Sequence, residues 1–486
     1  MSRAKLLLKN FATYGLVQAL NKVIPLLLLP VITRLLPDTS DYAVFDMFSL
    51  ILAFGTSLAV MGMYDAMFRE YFEKEDQLFR YNVTTSAQRI VLISSLTLSL
   101  LLLVLNRSFS YLFFGTDGYG DIVAYASIAF FLSANVSIIQ APTRIQNKGK
   151  LFIVSGLLSS ACMYVLSVVL LFLGYSYYGL IYSNIVASLV LLLFFWFLNK
   201  KYFTKGKINK KVTKELFKIG LPLLPTFIIY WVYNSMDRIM ITNMLGVSDL
   251  GIYAIGSRVA QISMFIYMAF AGGWQYFAFS TMKDKDQVQL NSRVFEVLGL
   301  ISIFSLILVY PFSHLIFSLL FTGEYIQGYI VFPYLYLSPL LLMLYQVVAN
   351  QFLVVKKSYL STLCLVSGAV INILLNLYLI KVLGVEGAAI STLVGYIVTL
   401  IITCVLTIKM NLFVVSMRFS MICMLTAAYL VVIRLYLFEE RLFQSISSVL
   451  LLTIFVVLYK KETAMLLKKV NAMLLKKVKA GGRGNE

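Results

Sequence analysis

Ionisable side chains embedded in long apolar runs are the residues of this chain best placed to do chemistry. A charge at mid-bilayer costs about 3 kcal/mol on insertion scales, so it is normally paired or faces a polar cavity. Lys22, Arg34, Asp46, Asp237, Arg238 and Arg258 all stand in or beside such runs. With about 1.5 Å of rise per helical residue, distance from a turn converts to depth. Asp237 and Arg258 lie at matching depths either side of the turn near Val247, which makes them a helix–helix ion pair in this reading. Arg34 and Asp46 flank the turn near Thr39 and make a second pair, close to the membrane surface. That leaves Lys22 and Arg238 over. Arg238 follows Asp237 directly, about 100° further around the helix, so the two need not satisfy each other. An unpaired cation at that depth faces water or an anion, or else finds a structural partner. The functional bias of intramembrane charges favours the anion.

Polar residues accompany these charges. Asn21 precedes Lys22, Asn234 lies one turn before Arg238, and Gln261 lies one turn after Arg258. Gln346 and Asn350 share one helix face, as do Asn372 and Asn376. For any single amide, an interhelical hydrogen bond is the simpler role. Proline pairs, Pro25 with Pro30 and Pro222 with Pro225, mark the first and seventh apolar segments and imply bent helices. The chain has a single histidine, His314, and its four cysteines show no metal-ligand spacing, so no zinc or other metal site is expected. No cofactor is expected. H+ or Na+ is the candidate coupling ion, with Asp46 as the carboxylate to carry it.

The elements that position these side chains follow from composition. The chain is 60% hydrophobic, with a mean hydropathy of +0.86. It divides into about fourteen apolar segments of spanning length, which predicts an all-α polytopic membrane protein. Most of its 41 lysines and arginines fall in alternate connections and in the two tails. Basic loops stay on the cytoplasmic side, so both termini are expected there. The net charge of +19 is then explained by loops beside anionic headgroups, not by nucleic acid.

The polar, lysine-rich run 199–216 divides two six-helix halves, 1–198 and 217–408. Two further helices follow in 409–460, then a basic cytoplasmic tail, 461–486. The halves read as copies. Ser40–Asp41 recurs as Ser248–Asp249, Gly179 and Ser183 recur as Gly387 and Ser391, and Val154–Ser155–Gly156 recurs as Val366–Ser367–Gly368. An even number of helices per half makes the repeat parallel, and such transporters place their substrate between the halves. In the tail, AMLLKKV occurs twice, which fits either an amphipathic helix on the inner leaflet or a disordered basic tail.

Three passages resemble a known family. They are FATYGLVQALNKVIPLLLLPVITRLLPDTSDYAVFD, FKIGLPLLPTFIIYWVYNSMDRIMITNMLGVSDLGIYAIG and INILLNLYLIKVLGVEGAAISTLVGYIV. Together they are similar to the Wzx-type polysaccharide-transport flippases of the multidrug/oligosaccharidyl-lipid/polysaccharide exporter superfamily, which serve O-antigen and capsule synthesis. The resemblance implies two parallel six-helix bundles in a V plus two C-terminal helices, in the bacterial inner membrane. It also implies a substrate, an undecaprenyl-diphosphate-linked oligosaccharide repeat unit flipped from the cytoplasmic to the outer leaflet. Polysaccharide polymerase and chain-length machinery are the expected protein partners, besides membrane lipids. On that substrate, Lys22, Arg238 and Arg258 would meet the diphosphate. Asn21, Asn234, Tyr230, Trp231 and Tyr233 are the candidates for the sugars, with Trp274 and Tyr276 equally well explained as interfacial aromatics.

Two rival functions give different expectations. A drug or metabolite cation antiporter of the same superfamily needs buried carboxylates, and Asp46, Asp65 and Asp237 each have a nearby arginine in this pairing. A membrane-embedded glycan polymerase or ligase needs catalytic groups on a sizeable outer loop, and the outer connections carry no paired carboxylates or nucleophile motif. The expected class is therefore a transporter and not an enzyme.

Overall fold

The computed structural model describes residues 23–146, 148–282, 284–436 and 441–459, and these are all-α, with no strand among them. In chain order the helices are α1 (Val23–Leu35), α2 (Thr39–Val60), α3 (Met63–Tyr71), α4 (Gln77–Val104), α5 (Asn106–Phe114), α6 (Gly120–Ile139) and α7 (Ala141–Ile145). Next come α8 (Gly149–Phe172), α9 (Ser176–Thr204), α10 (Lys210–Gly220), α11 (Leu224–Met244), α12 (Val247–Ala260) and α13 (Met264–Ser280). The last are α14 (Gln287–Val309), α15 (Ser313–Leu320), α16 (Phe332–Val354), α17 (Tyr359–Leu383), α18 (Val385–Lys409), α19 (Met417–Tyr436) and α20 (Arg441–Leu458).

Eleven helical stretches are long and apolar enough to cross a membrane, and two shorter apolar helices lie in α1 and α20. One more crossing is made by α12 and α13 together, interrupted by a 3-10 turn at Gln261–Ser263. Each of the fourteen predicted segments therefore has a helical counterpart. The predicted amphipathic tail lies outside the described residues.

The basic run between the halves is largely helical. α9 continues to Thr204, and α10 starts at Lys210 behind an Asn209 cap whose side chain accepts from the backbone of Lys211 and Val212. α10 turns Val212 and Leu216 inward and exposes its lysines, the pattern of a helix lying at an interface. The connection is tied to the start of α4. Asn82 accepts from the Lys207 amide at 2.7 Å, and the Thr84 hydroxyl donates to the Tyr202 carbonyl at 2.5 Å. Gly62, at φ +70°, packs on Gly220, where a Cβ would come within 2.6 Å of the Gly220 carbonyl oxygen. The 3-10 turn Leu221–Leu223, carrying Pro222, then redirects the chain into α11.

The residues that recur between the halves make comparable local bonds. Ser183 donates to the Gly179 carbonyl at 2.6 Å, and its counterpart Ser391 donates to the Gly387 carbonyl at 2.8 Å. Such i−4 bonds satisfy hydroxyls that the bilayer cannot. The counterparts Ser40–Asp41 and Ser248–Asp249 stand at the starts of α2 and α12, which pack against each other. The Thr39 and Ser248 hydroxyls meet at 2.6 Å there. A side chain at Gly251 would put its Cβ 2.0 Å from the Thr39 carbonyl oxygen, so glycine permits the approach. The Tyr325 hydroxyl donates to the Asp38 carbonyl at 2.7 Å beside them.

Two compact units emerge. The larger takes the described residues up to 280 and 314–403; the smaller takes 281–313 and 404–459. In the smaller unit α14 packs with α19 and α20, through Phe295 against Phe413 and Phe419. Ser416 and Tyr459 both donate to the Glu296 carboxylate there.

Candidate functional site

The charged residues meet in the larger unit, where α2, α11 and α12 pack together. Asp46 on α2 is 3% exposed and serves two arginines. Its Oδ2 accepts from Arg238 Nε at 2.7 Å, and its Oδ1 accepts from Arg258 Nη2 at 3.3 Å. Arg238 is further fixed by donating from Nη1 to the Asn234 carbonyl at 2.8 Å and from Nη2 to the Ser257 hydroxyl at 3.2 Å. Its guanidinium also stands 5.7 Å from the Tyr253 ring centroid. Two guanidiniums thus share one carboxylate, with Asp237 lining the Arg238 cavity beside them.

Both sequence-predicted ion pairs are corrected by this arrangement. Arg34 is exposed and does not contact Asp46, and Asp237 does not contact Arg258. Depth arithmetic fixes height along a helix but not direction around it. Asp46 faces α11 and α12, and so captures the two cations otherwise assigned elsewhere. Arg238, expected to lack a partner, holds the shorter of the two bonds. Asp237 turns the opposite way, into the bundle of α12, α17 and α18. There it accepts only from neutral donors: Tyr253 at 2.7 Å, Thr392 at 2.5 Å and Asn376 at 2.9 Å. Asn372 donates to Thr392 behind it at 3.1 Å.

Cavities open on both sides of the cluster. One of about 300 Å³ is lined by Arg258 with Pro25, Tyr42, Tyr164, Asn184 and Gln261. Another of about 250 Å³ is lined by Arg238 with Asn234, Asp237, Tyr233, Ser257 and, again, Gln261. Arg258 is 34% exposed and its buried Nε has no hydrogen-bond partner. Arg238 is 15% exposed. Each arginine thus offers guanidinium surface to its own cavity while sharing Asp46 with the other. Such an array can bind an oxyanion by charge-assisted, bidentate bonds.

The remaining predicted site residues divide. Asn234 and Tyr233 line the Arg238 cavity, with Tyr233 buried against Tyr396 at 4.5 Å between centroids. Tyr230 lines a third cavity of about 210 Å³ with Trp274, Tyr345, Gln346 and Asn350. Trp231 is spent on packing: its ring lies 4.2 Å from Phe54, and its indole N–H donates to the Leu50 carbonyl at 3.3 Å. Lys22, Asn21 and the side chain of Tyr276 lie outside the described residues. Sequence reasoning passed over Tyr253, Ser257, Tyr164 and Thr392, whose types carry no signal in an apolar run. The paired spacing of Asn372 and Asn376 was the one visible sign of the Asp237 network.

The chain is thus a multi-helix membrane protein with polar cavities around intramembrane charges. Its fold is shared with solved multi-helix membrane proteins. It is similar to the structure titled Lipid II flippase MurJ, inward closed conformation, with a TM-score of 0.69 and 16% identity over 93% of this chain and 99% of that one. It is also similar to an inward-facing multidrug resistance MATE family transporter of the MOP superfamily, with a TM-score of 0.65 and 16% identity over 81% of this chain and 94% of that one.

Within that fold, residues 31–328 match the model of the polysaccharide biosynthesis protein family, and the chain belongs to it. A relative, the probable low-salt glycan biosynthesis flippase Agl15 of Haloferax volcanii, is 25% identical over 59% of this chain and 61% of its own length. An uncharacterized membrane protein of Methanocaldococcus jannaschii is 24% identical over 44% of each chain. The matched regions thus span less than two thirds of either relative.

Proposed function

We propose that this protein flips a lipid-linked oligosaccharide across the membrane by alternating access, with the arginine cluster receiving the phosphates of the lipid carrier. The observation that carries the reading is that Arg238 and Arg258 share Asp46 while each faces a separate cavity. A diphosphate carries charge that must cross a low-dielectric core, and guanidiniums held in place by one carboxylate neutralise it without reorganising. An incoming phosphate competes with Asp46 for the same donors, which lets the site release its cargo. The family membership and the glycan flippase among the relatives support this reading.

Finer assignments rest on the family resemblance. They are an undecaprenyl diphosphate carrier, a repeat unit for O-antigen or capsule, and hand-over to polymerase and chain-length machinery. The same resemblance implies the bacterial inner membrane, and the loop charges favour cytoplasmic termini. Lys22 and Asn21 stay candidates for the same site. Coupling to H+ or Na+ suits Asp237 better than Asp46, because Asp237 has only neutral donors whereas two arginines already neutralise Asp46.

The test is surface polysaccharide in cells carrying single replacements. Arg258→Ala and Arg238→Ala are expected to abolish it with the protein still inserted, and Arg258→Lys to retain part of it. Unchanged polysaccharide in both alanine variants would refute the cationic site.

A further inference from the structure

A second cluster of polar chemistry stands at the lysine-poor end of the larger unit, away from the arginines. α8 and α9 are joined there by a tight turn in which Gly174 and Ser176 both have positive φ, +84° and +48°. The turn presents a run of tyrosines that pack on one another. The Tyr177 and Tyr178 rings lie 4.5 Å apart, Tyr178 stacks on Tyr182 at 5.9 Å, and Tyr125 of α6 meets Tyr182 edge-on at 5.4 Å. Their hydroxyls are ordered as well. Tyr178 donates to Asp121 Oδ2 at 2.5 Å, and the Tyr125 and Tyr182 hydroxyls meet at 3.2 Å. Asp121 is exposed, and the four rings are half-buried.

We propose that this tyrosine–Asp121 cluster is a carbohydrate-binding platform that receives the sugar portion of the cargo at the outer mouth. The inference rests on the glycan-flippase reading and adds a sugar subsite to it. Interfacial belt tyrosines hold their amphipathic rings at headgroup level. These instead converge on one another and on a carboxylate. Aromatic faces carry negative quadrupole density that attracts the C–H face of a pyranose. The adjoining hydroxyls and carboxylate supply donors and acceptors for the sugar hydroxyls. The carboxylates of Asp38, Asp41 and Asp121 gather around Tyr119 at this edge, with the Arg107 side chain beside Gly120. The platform and the arginine cluster are thus separate places in the same unit.

Position supports the role. The Ser176 side chain lies against Asp41, and Asp38 and Thr39 next to it make the contacts with Tyr325 and Ser248 that join α2 to the second half. The platform thus borders the seam that must part for the cargo to leave on that side.

The test uses full-length protein in lipid nanodiscs. The probe is the oligosaccharide freed by mild acid from the lipid-linked intermediates of the expressing cells. Saturation-transfer NMR should show the probe bound to the wild type. Binding should fall at least about fivefold in the Tyr178→Ala/Tyr182→Ala protein, the size expected from losing two stacked rings. It should fall less in Tyr178→Phe/Tyr182→Phe, which keeps the rings and loses only the hydroxyls, persist in Arg238→Ala, and weaken in Asp121→Asn, an exposed replacement that keeps the fold. Equal binding by wild type, the double alanine protein and Asp121→Asn would overturn the platform while leaving the arginine site standing. Normal surface polysaccharide in cells lacking the protein would overturn the transport reading itself, and the platform with it.

Discussion

Asp46 is a single carboxylate answering to two arginines, and most of the site's behaviour follows from that ratio. Removing it strands two guanidiniums in a poorly solvated place, and breaking a buried pair from one side costs about 3–5 kcal/mol. Asp46→Ala is therefore expected to lower the thermal midpoint of the detergent-solubilised protein sharply. Arg34→Ala, at an exposed position, should change stability by less than about 0.5 kcal/mol. Equal shifts would mean that Arg34, not the two deeper arginines, balances Asp46. The charge exchange Asp237→Arg with Arg258→Asp should rescue neither single change, because Asp237 bonds to Tyr253, Thr392 and Asn376. The identity of the charged residues was legible in the sequence, since each stands out in an apolar run. Their partners were not, because a partner depends on the azimuth of three packed helices and spacing reports only depth.

At the scale of elements, α2 and α12 approach as closely as they do because Gly251 has no side chain. Gly251→Val places a branched side chain where a Cβ already comes within 2.0 Å of the Thr39 carbonyl oxygen. The two helix starts must then separate. Water-soluble maleimide should label a cysteine at Thr39 faster in that background, and unchanged labelling would mean the helices are not held together there. Hydropathy located the fourteen crossings well, because about 20 apolar residues are hard to place anywhere else. It was blind to the 3-10 break at Gln261–Ser263, a local backbone choice inside continuous apolar sequence, whereas Pro222 and Pro225 mark the break at Leu221–Leu223. It also took the 199–216 run for a plain linker, although the amphipathic spacing of Val212 and Leu216 among lysines marks α10.

For the whole molecule, the proposed alternating access requires α2 and α12 to part where they meet. With the Thr39 and Ser248 hydroxyls 2.6 Å apart, the pair Thr39→Cys with Ser248→Cys should cross-link under mild oxidant. Surface polysaccharide should then cease, and return when the link is reduced. Continued export by the cross-linked protein would show that this seam does not open during transport. The serine–glycine match between the halves was legible, and Ser183 and Ser391 do make the same bond to Gly179 and Gly387. The association of α14 with α19 and α20 was not, since aromatic contacts such as Phe295 with Phe419 leave no pattern along the chain.

The central claim, that the arginine cluster holds a phosphate-linked glycan lipid, is tested most directly by what the purified protein carries. Native mass spectrometry after incubation with the lipid-linked intermediates of the expressing cells should show one such lipid retained by the wild type. The Arg238→Ala/Arg258→Ala protein should retain it at least about tenfold less, since losing charge-assisted bonds to an anion costs about 1.5–3 kcal/mol each. Equal retention by both proteins would contradict the account.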